Sequence, residues 1–122
     1  MRAFGISIII FVIMLLIIIF NYLYVLKTID NLYTTLQAVP PPTNANCFQQ
    51  IIAFEQYWNK HSKIIKTSTT ASEINFISGS IVKLKLLALD SEVSEFEIVR
   101  HQLLKTIYNI KKEEKLSLEN II

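Results

Sequence analysis

Two histidines and one cysteine are the side chains of this sequence best suited to bind a metal ion or transfer a proton. His101 lies one turn after Glu97, so on a helix the two share a face and could hold a metal together. A zinc site needs three or four protein ligands, however. Cys47 and His61 would lie about 21 Å apart along one helix and cannot share an ion within it. We therefore predict no catalytic residue, no cofactor and no metal, and a metal-dependent hydrolase using Glu97, His101 and His61 stays the least favoured alternative.

Other catalytic patterns are missing from the sequence. Serine and threonine are plentiful at 67–72, but no histidine and carboxylate accompany them in a recognisable nucleophile pattern. Gly5 and Gly79 are the two glycines, so there is no glycine-rich phosphate loop. His61 falls between Trp58 and Ile65 on an apolar stripe, which favours packing at the core boundary over binding a ligand.

Aromatic and basic runs suggest binding without catalysis. Phe54, Tyr57 and Trp58 could line an aromatic cage, but their helical spacing favours packing in the core. A second group consists of lysines on predicted helices. The simplest interpretation is that they form solvated helix faces, and the functional interpretation is that they contact a protein or an anionic lipid. These residues are Lys60, Lys63, Lys66, Lys111 and Lys112.

The element that comes before all of these is a long apolar segment. Residues 3–26 carry no charge and include "ISIIIFVIMLLIIIF". A helix of that length spans about 36 Å, against about 30 Å for the hydrocarbon core of a bilayer. We predict an N-terminal membrane anchor over 1–26, with 6–26 in contact with lipid. The alternative of a cleaved signal peptide is less favoured, because the apolar run is long and no A-x-A cleavage pattern follows it.

Charge indicates an orientation for this anchor. Arg2 and the amino terminus flank one side, whereas Lys27 stands by itself on the other, and the next basic residue is Lys60. The positive-inside rule then favours a cytoplasmic N-terminus and an extracytoplasmic C-terminal domain at the cell membrane. Without Arg2 the basic residues number 12 − 1 = 11 against 10 acidic ones, which argues against a nucleic-acid partner. One cysteine forms no intrachain disulfide.

Beyond the anchor the chain divides into three parts. The helical spacing of Val25, Ile29, Leu32 and Leu36 predicts a juxtamembrane extension over 27–39. The proline run in 40–45 predicts a turn. A helical domain then follows over 46–122, with Asn46 and Gln49 spaced as an N-terminal capping box.

Three further helices show apolar residues at alternating steps of three and four. Thr70 and Glu73 form a second capping box at the start of the middle one, and we expect Gly79 within it to allow close helix approach. Acidic residues begin the last helix, and lysines around 111–115 are expected to end it, as the helix dipole prefers. The predicted core comprises Ile51, Phe54, Trp58, Ile77, Ile81, Leu84, Phe96, Val99, Leu103 and Ile107.

Such spacing is typical of helices that pack nearly antiparallel. The fold class expected is therefore all-α: an N-terminal transmembrane helix followed by a small antiparallel bundle of three to four helices. Four aliphatic residues close the sequence, namely Leu116, Leu118, Ile121 and Ile122. Because exposure of such side chains is unfavourable, we expect this tail to dock into a groove of the bundle, or else against a partner.

Four stretches also resemble a family of small membrane-anchored proteins of spore-forming Gram-positive bacteria that carry a domain of unknown function. These are the single N-terminal span, "FEQYWNKH", "SEINFISGSIVKLK" and the ending "KLSLENII". The family has a histidine before the "EI" pair of the third helix, where this chain has Ala71 nearby. The resemblance implies an anchored helical domain and no known activity.

These observations favour a non-enzymatic interaction or scaffold protein at the cell envelope, with an unidentified protein partner and an undetermined oligomeric state. A sensor module that contacts lipid or a ligand through its basic faces is the alternative.

Overall fold

The computed structural model of the protein describes residues 2–66 and 69–121, and for 117, 118, 120 and 121 the backbone only. The described chain forms four α-helices and no strand. In chain order they are α1 (Arg2–Gln37), α2 (Cys47–Ile65), α3 (Ala71–Leu89) and α4 (Val93–Ile121). The prediction of an all-α fold is confirmed.

One uninterrupted helix contains both the apolar segment and its extension. α1 runs for 36 residues, which corresponds to about 54 Å. Its first buried residue is Val25, followed on the same face by Thr28, Ile29, Leu32 and Leu36. Only the C-terminal part of α1 therefore belongs to the bundle, and the N-terminal part extends out of it.

The four helices pack in a ring in which each contacts its neighbours in the chain. α1 packs against α2 and α4, and α3 packs against the same two helices on the other side. Short connections make consecutive helices antiparallel, as expected for an up-and-down bundle. The extension of α1 is thus the fourth member of the bundle, the larger of the two sizes predicted.

A single core lies between these helices. Leu36, Ile51, Phe54, Leu84 and Phe96 are fully buried at its centre. Nine of the ten residues named from the sequence are buried, and the tenth, Val99, is partly buried against the others. Trp58 is 3% exposed, and its indole Nε1 donates to Ser78 Oγ at 3.3 Å. The remaining members of the core are Val25, Ile29, Leu32, Val39, Cys47, Ile65, Ile74, Ala88, Leu104 and Ile110.

The helix ends follow the sequence prediction in one case and depart from it in another. Thr70 caps α3, because its hydroxyl accepts a hydrogen bond from the backbone N–H of Glu73 at 3.2 Å. The capping box predicted at Asn46 is wrong: Asn46 has helical φ and ψ, and its side chain makes no capping bond. The Asn46 N–H is bonded within the preceding turn, where the Asn44 side-chain oxygen accepts it at 2.8 Å.

The last helix is longer than its charge pattern indicates. α4 continues to Ile121, so Lys111, Lys112 and Lys115 lie before its last turn, which carries no basic residue. The expected docked tail is therefore the end of α4. Leu116 is 55% exposed on it, which contradicts docking at that position. The predicted contacts of Leu118, Ile121 and Ile122 fall outside the described side chains.

Gly79 also departs from the expectation. A Cβ atom built on this glycine meets nothing within 4 Å, so no other helix in the described part of the chain lies close to it. Gly79 lies on the exposed side of α3 because the residues that face the core are Ile77, Ser80 and Ile81.

Candidate functional site

The N-terminal part of α1 is an extended apolar surface with no partner in the described part of the bundle. The most apolar stretch of 18 residues in this helix has a mean hydropathy of 3.3, and none of that stretch is buried in the bundle. Among the described residues this is the one helix long and apolar enough to cross a membrane. Phe4, Phe11 and Phe20 are each more than 60% exposed on it. Water does not favour such a surface, because each exposed aliphatic or aromatic side chain forgoes about 1.5–3 kcal/mol of burial.

Polar side chains gather where this surface meets the bundle. His61 of α2 is half-buried, with its Nδ1 3.4 Å from Tyr24 Oη and its ring centroid 4.3 Å from that of Tyr57. Tyr57 Oη accepts from Asn31 Nδ2 at 3.1 Å. These contacts join α1 to α2 around His61. The structure thus places His61 in aromatic packing at the edge of the core.

Glu97 and His101 lie elsewhere. The Glu97 carboxylate accepts from Arg100 Nη2 at 2.7 Å. His101 is exposed and lines an open groove between α1 and α4 together with Tyr33 and Gln37. Because α1 contacts His61 through Tyr24 and the groove of His101 through Gln37, the two histidines lie at different heights of the bundle. Within 2–66 and 69–121, no group of three or more His, Cys, Asp or Glu side chains is placed to hold a metal ion.

The aromatic residues of α2 do not form an open cage. Phe54 is fully buried, Trp58 nearly so, and Tyr57 is half-buried against His61. Cys47 is 1% exposed at the start of the same helix. Burial raises the pKa of its thiol, an effect that the Arg100 charge partly opposes. Cys47 is therefore a core residue with an unreactive thiol.

The five lysines named from the sequence lie in the same half of the bundle. Lys60 directly precedes His61 in α2, and Lys63 and Lys66 follow it toward the end of that helix; all three are exposed. Lys111 Nζ lies 2.7 Å from Asp30 Oδ1, and Lys112 is exposed beside it. The apolar part of α1 emerges from this half of the bundle. We call the surface formed by these five lysines the lysine end.

Of these lysines, Lys111 has an ion-pair partner within the bundle. Its hydrogen bond to Asp30 raises the pKa of the ammonium group. The pair connects α4 to α1, which gives Lys111 a structural role that a purely solvated lysine lacks. The other four lysines are exposed and point away from the core.

Acidic residues from α3 and α4 also meet on the bundle. Glu113 has its pKa raised, first by burial and then by the charge of Glu73. Glu114, the next residue of α4 after Glu113, is 9% exposed. Repulsion between these carboxylates opposes the packing of α3 against α4 at this point.

One surface was missed in the sequence analysis. Val82, Leu86 and Leu89 of α3 are 50%, 58% and 63% exposed. They continue into a shallow groove whose other wall contains Ile98 of α4, itself 57% exposed. The signal was present, because these residues of α3 repeat at steps of four and three just as its core residues do. Only one of the two repeats was recognised.

Comparison of the chain with protein-family models, with curated proteins and with solved structures gives no match in any of the three.

Proposed function

We propose that this protein is a single-pass membrane protein whose helical bundle is a non-enzymatic interaction or scaffold module held at the membrane surface. The observation that carries the proposal is the division of α1 into an apolar part with no partner in the bundle and a continuous part that packs in the core. A lipid bilayer is the environment in which the apolar part of α1 is not exposed to water. Because no flexible joint separates the two parts, the anchor would hold the bundle close to the headgroups.

The bundle itself supports an interaction role. His61 packs against Tyr57 at a different height of the bundle from His101, and the Glu97 carboxylate is paired with Arg100, which disfavours the hydrolase hypothesis. Contiguous exposed apolar side chains mark interaction surfaces in proteins, and α3 carries such a patch at Val82, Leu86 and Leu89. An anchored helical domain is also what the resemblance to the family of spore-forming bacteria implies, so membership in that family is part of this proposal.

Alkaline carbonate extraction of membranes from cells that produce the full chain tests the anchor. We expect the protein to stay in the membrane pellet. The double variant Ile13→Arg, Ile17→Arg should fail to do so, because each arginine near the bilayer centre costs about 2.5–3.5 kcal/mol. Wild-type protein in the soluble fraction, or mature protein that begins after Leu26, would contradict the proposal.

The proposed orientation places the N-terminus in the cytoplasm and the bundle outside, at the cell membrane. Cys47 cannot report on it because its thiol is buried. Exposed cysteines introduced into a Cys47→Ser background can: Ser94→Cys in the bundle and Ala3→Cys before the span. A membrane-impermeant thiol reagent on intact cells should label Ser94→Cys, and should label Ala3→Cys only after permeabilisation. The reverse pattern would reverse the orientation.

Contact of the bundle with anionic lipid is a second candidate function, favoured by the position of the lysine end next to the proposed span. Full-length protein in nanodiscs with anionic lipid should then show a higher Tm than in neutral lipid. The difference should shrink as salt is added and in the variant Lys63→Ala, Lys66→Ala. Equal Tm values in the two lipids would reject this function.

A further inference from the structure

α3 carries two apolar stripes on different sides. One packs in the core and consists of Ile74, Ile77, Ile81, Leu84 and Ala88. The other is exposed and repeats at steps of four, three, four and three. We call it the α3 outer stripe, and it consists of Asn75, Gly79, Val82, Leu86 and Leu89. This 3–4 alternation is the spacing with which two helices pack side by side.

The rest of the bundle leaves the α3 outer stripe uncovered. On one flank, Lys85 of α3 bonds to Glu55 of α2, with Nζ 2.9 Å from Oε2. On the other flank, α3 packs against α4. The stripe lies between these two flanks and away from the core. Three of its five residues have aliphatic side chains that are at least half exposed, an arrangement that favours a further helix on this face.

Gly79 is a separate observation that also favours a further helix on the α3 outer stripe. Glycine is less favourable than alanine within a helix. The bundle gives no steric reason for it, since an added Cβ would meet nothing within 4 Å. A glycine in the middle of an exposed apolar stripe allows the backbone of another helix to approach closely. That helix is not supplied by the described part of this chain.

The charges beside the stripe identify which helix fits. Lys85 and Asp90 flank the stripe on opposite sides and are five positions apart along α3. When two copies of α3 run parallel and in register, each Lys85 comes next to Asp90 of the other copy, the pairing that flanking charges make in parallel coiled coils. The ammonium group of Lys85 has three N–H donors, so it can bond to Asp90 of the other copy and keep its bond to Glu55. Asn75 then meets its own counterpart at one end of the stripe. The face is thus complementary to itself.

We propose that the α3 outer stripe is the interface of a parallel homodimer, with α3 of one copy packed against α3 of the second. This inference rests on the proposed anchor for one point: two copies inserted in the same membrane necessarily have the same orientation, so their α3 helices run parallel. The two-fold axis then follows the membrane normal, and every residue of the stripe lies at the same height as its counterpart.

Disulfide formation tests the geometry. In a Cys47→Ser background, Val82→Cys places a thiol on the stripe, opposite its counterpart. The matched control is Gln102→Cys, an exposed position on α4. Full-length proteins reconstituted at high lipid excess are oxidised briefly and separated on denaturing gels. Val82→Cys should become a covalent dimer and Gln102→Cys should stay monomeric. Equal crosslinking of the two would overturn the proposal.

Leu86→Lys tests the same interface without a crosslink. A lysine at the centre of the stripe should convert the protein from dimer to monomer in density-matched detergent, as measured by sedimentation. Gln102→Lys adds the same charge off the stripe and should remain dimeric. Leu86 is already 58% exposed, so the fold should persist, which the fluorescence of Trp58 verifies. A monomeric wild type, or a dimeric Leu86→Lys variant, refutes the dimer.

Carbonate extraction of the same preparations separates this inference from the proposed function. Protein that stays in the membrane without forming the Val82→Cys disulfide overturns the dimer and leaves the anchor standing. Protein that leaves the membrane overturns the anchor, and the disulfide result for that protein still decides whether the stripes pair. A one-to-one complex with a different protein on the stripe, without the disulfide, also rejects the homodimer.

Discussion

The guanidinium of Arg100 in α4 donates a hydrogen bond to the backbone carbonyl oxygen of Val39, just after the end of α1. The same guanidinium bonds to Glu97 and lies 5.8 Å from the centroid of the Phe96 ring. Because the prolines that follow Val39 provide no backbone donors, an arginine side chain satisfies a carbonyl there that the turn cannot. Arg100 thereby fixes the connection between α1 and α2 against α4.

Replacement of this arginine should destabilise the bundle. Arg100→Met keeps much of the side-chain volume but loses the charged hydrogen bonds, so we expect the free energy of unfolding to fall by about 1.5–3 kcal/mol. Denaturant titration of the full chain in detergent, followed by Trp58 fluorescence, measures the change. Lys105→Met, at an exposed position of the same helix, should stay within about 0.5 kcal/mol of wild type. Equal losses in both variants would show that Arg100 has no special role.

Two phenylalanines provide a matched test of the core. Phe54 is fully buried on α2, whereas Phe76 is 42% exposed on α3. Phe54→Ala should therefore lower the free energy of unfolding by about 3–5 kcal/mol, and Phe76→Ala by much less. The same fluorescence titration decides between them. A larger loss for Phe76→Ala would mean that the core has been assigned to the wrong face of the helices.

The sequence predicts the core well because the side of a helix that is buried is encoded locally. Steps of three and four around Phe54, Trp58 and Leu84 mark that side whatever the neighbouring helix is. α3 shows the limit of this rule. It has two such repeats, and only the packing of α2 and α4 decides that Ile81 faces inward and Leu86 outward. Gly79 lies on the outward repeat, so no other described helix of this chain approaches it.

The position of a helix end and the contacts between distant residues depend on the rest of the fold, which a local sequence pattern does not contain. The lysines at 111–115 resemble a helix terminus, yet no proline or glycine follows, and α4 continues to Ile121. Asn46 is a good cap by residue type, yet its side chain makes no capping bond, and its N–H bonds to Asn44 in the turn. The Asp30–Lys111 ion pair and the Arg100–Val39 bond join residues far apart in sequence, so they appear only in the fold.

The turn between α3 and α4 contains a site where glycine is expected to be stabilising. Ser91 has a φ of 56°, and the N–H of the next residue, Glu92, bonds back to the Leu87 carbonyl at 3.2 Å. This is the left-handed position after a helix that glycine usually occupies. Ser91→Gly should raise the Tm, by relief of about 1 kcal/mol of backbone strain, and the β-branched Ser91→Val should lower it. Circular dichroism melts that rank the two variants in the opposite order would contradict the backbone argument.

The carboxylates of α3 and α4 predict a pH effect. The pKa of Glu113 is raised in the fold, first by burial and then by Glu73, so its protonated form is favoured there. Its contribution to stability is complete below the unfolded value of 4.5 and is lost as pH rises through the folded pKa. Glu113→Gln should therefore become more stable relative to wild type as pH rises from that value to neutrality. Glu119→Gln, exposed near the end of α4, is the control, and the same pH trend in both variants would exclude the proposed cause.

Gly79→Ala should separate the stability of one copy from the pairing of two. In the monomeric Leu86→Lys background, alanine should raise the free energy of unfolding by about 0.8–1 kcal/mol, because its methyl group meets nothing and its helix propensity is higher. In the wild-type background the same methyl group would stand between two closely packed α3 helices, so the dimer should dissociate at higher protein concentration than wild type does. Denaturation of the monomer and sedimentation of the dimer measure the two effects. An alanine that stabilises the monomer and leaves the dimer unchanged would show that the second helix does not approach at Gly79.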